Sequence, residues 1–184
     1  LALTTGGRGL VSLPLVSAGM DIFAGNENGP NFLFRNKGNG TFDEIAGQLG
    51  IDDPFENVRG IAPLDANGDG LFDLAYGNWE GPHRLFVQSS DGFWDDTAPT
   101  VMAQPSRIRT VIAADFDNDG YEELFFNNIG QANRLFSQRD GTWSEVDIGD
   151  AQEIAGLGTG AAVGDFDGDG RLELLISHGE SGLQ

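Results

Sequence analysis

Short apolar stretches, separated by turns rich in Gly, Asn and Asp, run along the whole chain of 184 residues. They recur in a fixed order about every 50 residues: the first lies before an acidic loop, the second directly after it, the third after a Gly/Asn-rich turn and the fourth after a hairpin turn. Their aromatic and β-branched residues predict strands, and no apolar stripe with a helical period is present. Four short strands in such a repeat are typical of one blade of a β-propeller.

The repeats predict a single all-β domain over residues 1–184, a β-propeller of four-stranded antiparallel blades with about three and a half blades in this chain. The predicted blades cover residues 9–50, 58–99, 108–149 and, incompletely, 158–180. Because an open propeller exposes sheet edges and apolar blade faces, we expect the ring to be completed. Further blades of a longer propeller are the favoured source. Another chain or self-association is the alternative.

Three acidic loops follow the first strands of the last three repeats, and their first residues, Asp65, Asp115 and Asp165, are 50 positions apart. A Ca²⁺ ion takes six to eight oxygen ligands at roughly 2.3–2.6 Å. Side-chain oxygens at loop positions 1, 3, 5 and 9 and the carbonyl at position 7 can converge on one ion, and the glycine at position 6 permits the sharp turn. The predicted ligands are Asp65, Asn67, Asp69, Leu71 and Asp73; Asp115, Asp117, Asp119, Tyr121 and Glu123; and Asp165, Asp167, Asp169, Arg171 and Glu173. The sequence therefore predicts about three structural Ca²⁺ ions per chain.

An ordinary polar turn is the alternative for any single loop, because Asp, Asn and Gly are common turn formers. Three copies in register, each with an acid at position 9, favour the metal site. An EF-hand is excluded because it needs a Glu at position 12 between helices, where this chain has Tyr76, Phe126 and Ile176 in predicted strands. The first loop carries Asn67 at position 3 and is expected to bind most weakly. The corresponding segment of the first repeat, residues 17–20, has no acid and is expected to bind no metal.

The charge and composition of the chain argue against several classes of function. A formal net charge of -19 and a pI near 4.1 disfavour nucleic acid and anionic membrane surfaces, since both require basic patches. No apolar run is long enough to insert into a membrane. The chain has no Cys and therefore no disulfide or thiolate chemistry. Weak multi-carboxylate loops suit millimolar extracellular calcium, which favours a secreted protein.

Three arginines, Arg8, Arg59 and Arg109, precede the first strands at spacings of 51 and 50 residues. One hypothesis is that they line a central channel and hold an anionic ligand. The alternative is that each arginine pairs with a neighbouring acid or backbone carbonyl.

The aromatic and histidine residues offer few further candidates. Trp79 lies in a predicted loop and is a candidate contact residue for a ligand such as a sugar. Trp94 and Trp143 lie on matching fourth strands and are expected to pack between blades. The only histidines, His83 and His178, lie in different repeats without a positioned nucleophile, so no catalytic triad is expected.

The acidic loops, with Val163–Gly170 as the cleanest copy, resemble the FG-GAP/VCBS repeats of integrin α-subunit propellers. Residues 6–180 resemble more closely the carboxy-terminal propeller blades of the cartilage acidic protein family and its bacterial relatives. The segments that carry this resemblance are Thr5–Gly9, Asp21–Phe34, Tyr76–Phe86, Arg109–Asp119 and Ile176–Glu180. It implies a secreted, calcium-binding propeller of a seven-bladed type, associated with extracellular matrix, adhesion or receptor antagonism. Functions that reside in the family's preceding blades, or in its following carboxy-terminal and EGF-like regions, are not expected of these residues.

These features together indicate a non-enzymatic, extracellular, calcium-binding module for protein–protein interaction or for cell or matrix adhesion. Ca²⁺ is expected to stiffen the loops while the opposite face meets a protein partner. The main alternative is a lectin-like propeller that binds carbohydrate, which an exposed Trp79 would favour. A hydrolase is a further alternative and would need an acid/base pair near an open metal position. No nucleic acid partner and no membrane insertion are expected.

Overall fold

A computed structural model describes residues 6–92, 94–152, 156–179 and 182–183, which form an all-β fold. The described strands form four separate antiparallel sheets that follow one another along the chain. Three of these sheets have four strands, and the last has three. In each sheet the strands lie side by side in chain order. The predicted β-propeller of antiparallel blades is therefore confirmed, and we call the sheets blades 1 to 4.

The strands of blade 1 are β1 (Gly6–Leu13), β2 (Asp21–Glu27), β3 (Phe32–Asn36) and β4 (Phe42–Glu44). Those of blade 2 are β5 (Val58–Leu64), β6 (Asp73–Asn78), β7 (Arg84–Gln88) and β8 (Trp94–Asp96). Those of blade 3 are β9 (Ile108–Ala114), β10 (Glu123–Asn128), β11 (Arg134–Arg139) and β12 (Thr142–Val146). Those of blade 4 are β13 (Gly158–Gly164), β14 (Glu173–His178) and β15 (Gly182–Leu183).

Two short helical segments connect blades, and neither follows from the strand pattern of the sequence. They are α1 (Ala46–Leu49) after blade 1 and a 3-10 turn (Gly149–Gln152) after blade 3. No helix in the described part of the chain is long and apolar enough to cross a membrane.

Blade 4 contains one strand more than the sequence indicates. The repeat pattern predicts two strands there, but β15 pairs with β14 through Ser177 with Leu183 and His178 with Gly182. A strand of two residues leaves too short an apolar pattern to be recognised in the sequence. The predicted outer limits of the blades and the completion of the ring stay predictions.

The core lies between neighbouring blades. As a result, the second strand of a central blade is covered on both faces by the side chains of adjacent blades. All six residues of β6 are buried. Leu74 and Tyr76 join the cluster shared with blade 1, where the rings of Tyr76 and Phe23 stack with centroids 6.0 Å apart. Ala75, between them in the chain, joins the cluster that contains Phe126 of blade 3. Alternate side chains of β6 thus pack against blade 1 and blade 3. Second strands of this kind are buried on both faces, which explains why they are continuously apolar in the sequence.

Glycines allow the inner strands to approach one another closely. A Cβ atom on Gly60 of β5 would lie 2.5 Å from the backbone N of Val111 in β9. A Cβ atom on Gly77 of β6 would lie 2.5 Å from the side chain of Ile108. Any larger residue at either position would push blades 2 and 3 apart, so the close packing of inner strands requires glycine there.

Every first strand has a register shift at the same place, near its beginning. At each shift one residue has no partner on the second strand, which is the arrangement of a β-bulge. The residues left unpaired in this way are Arg8 in β1, Arg59 in β5, Arg109 in β9 and Thr159 in β13. A bulge re-aims the side chain of its extra residue. In three of the four blades that residue is an arginine.

Candidate metal centre

The three acidic loops lie at one end of the propeller, where the first strand of a blade turns into the second. Loop 1 (residues 65–73) joins β5 to β6, loop 2 (residues 115–123) joins β9 to β10, and loop 3 (residues 165–173) joins β13 to β14. The acid at position 9 of each loop pairs with the last residue of the preceding strand, as Asp73 does with Leu64. The loops therefore sit in β-hairpins, as the sequence predicts, and not between helices.

The first acid of each loop holds the loop backbone in place. In loop 1, Asp65 Oδ1 accepts a hydrogen bond from the N–H of Asp69 (3.1 Å) and Oδ2 accepts one from the N–H of Gly70 (2.8 Å). Asp115 and Asp165 accept the equivalent bonds in loops 2 and 3. The glycine at position 6 has φ values of 84°, 92° and 87° in the three loops, which only glycine adopts without strain. These hydrogen bonds and glycine turns define the shape of each loop.

Carboxylate groups converge in loops 2 and 3. In loop 3, one carboxylate oxygen from each of four residues lies within 4.8 Å of the others: Asp165, Asp167, Asp169 and Glu173. In loop 2 the same holds for Asp115, Asp117 and Glu123. Two oxygens that bind one ion at about 2.4 Å lie at most about 4.8 Å apart. Both groups therefore have a spacing and a set of hard oxygen donors that fit Ca²⁺.

Loop 1 differs at position 3. Within the described residues its acids do not form a group of this kind. The amide of Asn67 is used inside the loop, since Nδ2 donates to Asp69 Oδ2 (3.0 Å) and Oδ1 accepts from the N–H of Asp69 (2.9 Å). Asp119 of loop 2 also lies outside the group in its own loop. The assignment of individual ligands, including the carbonyls at position 7, stays a prediction.

The acid at position 9 is built into the blade. Asp73 is fully buried, and its carboxylate accepts the N–H of Ala66 (2.7 Å) and of Gln88 (2.7 Å). Burial raises the pKa of Asp73 to about 6. Burial also raises the pKa of Glu123, which accepts the N–H of Phe116 (2.9 Å). In metal-free protein these carboxylates hold a proton more readily than an exposed acid, because burial disfavours the charged form and the neighbouring loop acids repel it.

Blade 1 keeps the acid at this corner although its hairpin has no acidic loop. Asp21 is fully buried and accepts four hydrogen bonds: from the N–H of Val16 (2.8 Å), the N–H of Ser17 (2.9 Å), the hydroxyl of Ser17 (2.6 Å) and the N–H of Asn36 (2.7 Å). Burial acts to raise the pKa of Asp21, but the bonds from Ser17, Asn36 and Val16 outweigh it, so the pKa lies below its ordinary value. The prediction that this blade binds no metal stays a prediction.

The repeat unit seen in the structure matches a known family. The model of the FG-GAP-like repeat matches residues 19–76, 65–126 and 118–176. The chain belongs to the FG-GAP-like repeat family. Each match ends in the strand that follows an acidic loop, so the loops are a fixed part of the FG-GAP-like unit.

The FG-GAP-like chain is also similar to longer proteins, as the sequence resemblance indicates. It is 53% identical to cartilage acidic protein 1 of Xenopus tropicalis over 193 aligned residues, 51% identical to that of Homo sapiens and 52% identical to that of Mus musculus. The alignments cover 98% of this chain but only 30%, 29% and 30% of the relatives. The FG-GAP-like blades described here thus correspond to less than a third of each relative.

Two glutamines connect neighbouring FG-GAP-like repeats, and the sequence analysis missed them. Gln138 Nε2 in blade 3 donates to the carbonyl of Ala66 in loop 1 (2.7 Å). Gln88 Nε2 in blade 2 donates to the carbonyl of Leu15 in the hairpin of blade 1 (3.1 Å). Both glutamines lie two residues after a phenylalanine of the third strand, which is the one signal in the sequence that marks them. The hairpins of blades 1 and 2 are therefore each held by the blade that follows.

An acid outside the predicted ligands also reaches a neighbouring loop. Glu122, at position 8 of loop 2, accepts the N–H of Asp65 at the start of loop 1 (3.4 Å). Burial raises the pKa of Glu122, and the charges of Asp65 and Asp115 raise it further. Loops 1 and 2 of the FG-GAP-like repeats are therefore close enough to influence each other's charge.

The arginines divide between the two hypotheses of the sequence analysis. Arg8 and Arg59 both pair with Glu27, as the alternative expects. The guanidinium groups of Arg59 and Arg109 lie over the indole of Trp79, each Cζ atom 5.0 Å from the ring centroid. Trp79 is half-buried, and its role as a contact residue for a sugar stays a prediction.

The other two tryptophans pack in the core of the FG-GAP-like propeller. Trp94 is buried in the cluster between blades 1 and 2, and Trp143 packs against the cluster between blades 2 and 3. The expectation that both residues pack between blades is confirmed.

His83 has a serine neighbour that the sequence did not reveal. Its Nε2 atom lies 2.8 Å from Ser106 Oγ, and its Nδ1 atom accepts the N–H of Asn78 (3.1 Å). Since Nδ1 is an acceptor, the ring proton is on Nε2 and is donated to Ser106, whose hydroxyl in turn donates to Asn128 Oδ1 (2.7 Å). Burial lowers the pKa of His83 to about 4. The histidine therefore cannot take a proton from the serine, and the pair is a buried structural contact.

Proposed function

We propose that this chain is a non-enzymatic, calcium-binding interaction module of an extracellular protein. The observation that carries the proposal is the convergence of carboxylate oxygens in loops of successive FG-GAP-like repeats. The similarity to proteins named cartilage acidic protein 1 supports a place in the extracellular matrix, because cartilage is a matrix-rich tissue. Calcium at millimolar concentration outside cells would fill sites of modest affinity.

When bound, Ca²⁺ supplies positive charge that offsets the repulsion among the carboxylates of a loop. The chain's own residues hold the loop in shape. Asp165 holds the backbone of loop 3, and Glu173 joins the loop to β14 through the N–H of Phe166 (2.8 Å). Asp165 and Glu173, at the two ends of the loop, would both hold the ion. Three divalent ions would move the formal net charge of -19 six units toward zero.

The metal in this proposal is structural, and partners meet the end of the propeller opposite the loops. That end carries the turns between second and third strands and the bulged beginnings of the first strands. His83, which contacts Ser106, is not arranged to take a proton from the serine, since it donates to Ser106. Binding, not turnover, is the function that this arrangement supports.

The faces of blade 4 support completion of the ring by further blades, another chain or self-association. All residues of β6 and β10 are buried, but in β14 only Ile176 is buried among the described residues. One face of blade 4 has no described blade packed on it. Apolar residues such as Leu175 therefore remain partly exposed, and a neighbouring blade would cover them.

The test is the number of Ca²⁺ ions bound per chain, measured by native mass spectrometry and calorimetry on chelator-treated protein. Three ions per chain support the proposal. The variants Asp117→Asn and Asp167→Asn should each remove one ion, because each takes a carboxylate from one group. Asp95→Asn is the matched control, since it removes an exposed acid outside the loops. Binding of no ion by the wild-type chain at millimolar calcium would contradict the proposal.

A groove between blades 2 and 3 favours carbohydrate as the second candidate ligand. It lies beside loops 1 and 2 and is lined by Asn67, Tyr121, Arg139 and Trp143, among others. Tyr121 is exposed, so its ring is free to stack on a sugar. A carbohydrate panel tests this function: Tyr121→Ala should abolish binding and Phe166→Ala, an exposed aromatic change in loop 3, should not.

A further inference from the structure

The β-bulges place a row of side chains along the inner strands, at the end of the propeller opposite the acidic loops. The bulges lie near the beginning of each first strand, whereas the loops follow its end. The first strands pack on one another in chain order, β1 on β5 and β5 on β9. Arg8, Arg59 and Arg109 therefore follow one another from blade to blade, and we call them the arginine row.

The first two arginines of the row share one carboxylate. Glu27, the last residue of β2, bonds to Arg8 through Oε2 and to Arg59 through Oε1. Arg59 and Glu27 are both largely buried, with 14% and 17% of their side-chain surface exposed. The fold thus contains an internal example of a carboxylate held between bulge arginines.

The third arginine has no such partner. Trp79 in blade 2 and Ile129 in blade 3 occupy the register position that Glu27 occupies in blade 1. Within the described residues, Arg109 forms no ion pair and no side-chain hydrogen bond, and its Nε atom is buried without a hydrogen-bond partner. Its guanidinium is held over the indole of Trp79.

We propose that Arg109 binds a carboxylate of an acidic peptide segment in a protein partner, in the way that Glu27 binds Arg8 and Arg59. A part-buried guanidinium without an anion is unfavourable, and a carboxylate matches its planar fork with two parallel hydrogen bonds. The contact with Trp79 limits the orientations of the guanidinium, so less freedom is lost on binding. This inference deepens the proposed interaction function, on which it rests for the choice of face, by naming the chemistry of the partner.

The net charge of the chain does not oppose this site at short range. Charges separated by more than about 8 Å are largely screened at physiological ionic strength. Three acids at this end of the propeller contact arginines, and all are paired: Glu27 with Arg8 and Arg59, Glu80 with Arg107, and Asp53 with Arg84. Within the described residues, none of these three acids pairs with Arg109.

The test is binding of a short glutamate-rich peptide to the calcium-loaded chain, measured by calorimetry and by tryptophan fluorescence. A glutamine-rich peptide of equal length is the uncharged probe. Arg109→Gln should weaken binding of the glutamate peptide by about tenfold or more, because a hydrogen-bonded charge pair is lost. Arg107→Gln is the matched control; it removes an arginine of the same face that already pairs with Glu80 and should change binding by less than about twofold. Arg109→Lys keeps the charge but loses the fork, so its loss should fall between these two.

Three results would overturn the inference: equal weakening by Arg109→Gln and Arg107→Gln, no binding of the glutamate peptide at millimolar concentration, or tighter binding of a sulfated oligosaccharide than of the peptide. Circular dichroism checks that each variant is folded. Calcium stoichiometry, measured on the same samples, separates this inference from the proposed function. Three bound ions without peptide binding would refute only the arginine site, and Arg109-dependent peptide binding without bound calcium would refute only the metal sites.

Discussion

Blades 1 and 2 hold a carboxylate at the same corner of the propeller, but their surroundings give it opposite properties. Asp21 and Asp73 are both fully buried, and each pairs with the last residue of the preceding strand. Four hydrogen bonds, one of them from the hydroxyl of Ser17, keep the pKa of Asp21 below its ordinary value. Asp73 accepts two backbone N–H groups and faces Asp69 and Asp65, and burial raises its pKa to about 6.

The comparison shows that the acid at position 9 has a structural role that does not depend on an acidic loop. Blade 1 keeps this acid without any acidic loop, because it closes the hairpin onto the third strand through Asn36. In blade 1 the charge is balanced by donors from the protein. In blade 2 the balance is incomplete, and a cation would supply what the protein lacks.

The largest effect is expected for Asp21→Asn. An amide has one acceptor oxygen in place of two, so its NH₂ group would face backbone N–H donors in a buried site. We expect the free energy of unfolding to fall by about 3 kcal/mol, with or without calcium. Denaturant unfolding in calcium and in chelator measures this.

Asp43→Asn in the same blade is the control for Asp21→Asn. Asp43 forms exposed ion pairs with Arg35 and Lys37, so its loss should lower the stability much less than the loss of Asp21. If the Asp21→Asn variant is as stable as this control, blade 1 does not depend on its buried carboxylate.

A pH effect on Asp73 is expected next in size, in the presence of chelator. The folded-state pKa of about 6 lies above the ordinary value of 3.8, so between these values the folded chain holds a proton that the unfolded chain has released. Stability from Asp73 is therefore present at low pH and lost as the pH rises through 6, by about 2 kcal/mol after allowance for solvent screening.

The measurement for Asp73 is the free energy of unfolding at pH 4.5 and 7.5 for wild type and Asp73→Asn. Subtracting the variant removes the contribution of Glu123, whose raised pKa acts in the same direction. In calcium the pH dependence of the wild-type protein should reverse, with greater stability at pH 7.5 than at pH 4.5, because the ion favours the ionised form of Asp73. An equal change in the free energy of unfolding between pH 4.5 and 7.5 in wild type and Asp73→Asn would contradict the raised pKa of Asp73.

Calcium should stabilise blades 2 to 4 and not blade 1. At calcium tenfold above the dissociation constant, one site contributes about 1.4 kcal/mol. Asp167→Asn should remove this increment in calcium and leave the stability in chelator almost unchanged. Thermal unfolding with and without calcium measures it, with Asp95→Asn as the control variant. An Asp167→Asn protein that keeps the full calcium increment would show that loop 3 is an ordinary turn.

The smallest effect is expected for the glutamines that connect blades. Gln138→Leu and Gln88→Leu each remove one buried hydrogen bond to a hairpin carbonyl, so each should cost about 1 kcal/mol. Gln138 bonds to the Ala66 carbonyl of loop 1 at 2.7 Å, whereas Gln88 reaches loop 1 only through a longer bond to the Phe72 carbonyl (3.5 Å). Gln138→Leu should therefore weaken calcium binding at loop 1 more than Gln88→Leu does. Calorimetric titration of both variants with calcium tests this difference, and equal calcium affinities would contradict it.

The sequence predicted the blades well because their signals are local. Each acidic loop carries its own turn residues, and each neighbouring strand has an unmistakable apolar pattern. The third strand of blade 4 was missed because Gly182–Leu183 is too short to show a pattern. The bond from Asn36 to Asp21 was missed because Asn36 lies 15 residues away and contacts Asp21 only when β3 pairs with β2.

Contacts between blades were the hardest to predict. The sequence offers two choices for Arg59 and Arg109: pairing with a neighbouring acid or backbone carbonyl, or holding an anionic ligand. The fold settled the choice for Arg59 by placing Glu27 beside it, and it placed Trp79 beside both arginines. These partners are tens of residues apart in the chain and become neighbours only because inner strands pack in order.

The amino-acid order alone determined the repeat, the four-stranded blade and the position of the acidic loops, because strand alternation and turn chemistry depend on residues adjacent in the chain. Only the tertiary structure decided which buried acid is neutralised by the protein and which arginine lacks a partner. Those outcomes depend on burial and on donors that neighbouring strands and blades supply, and no local pattern encodes them.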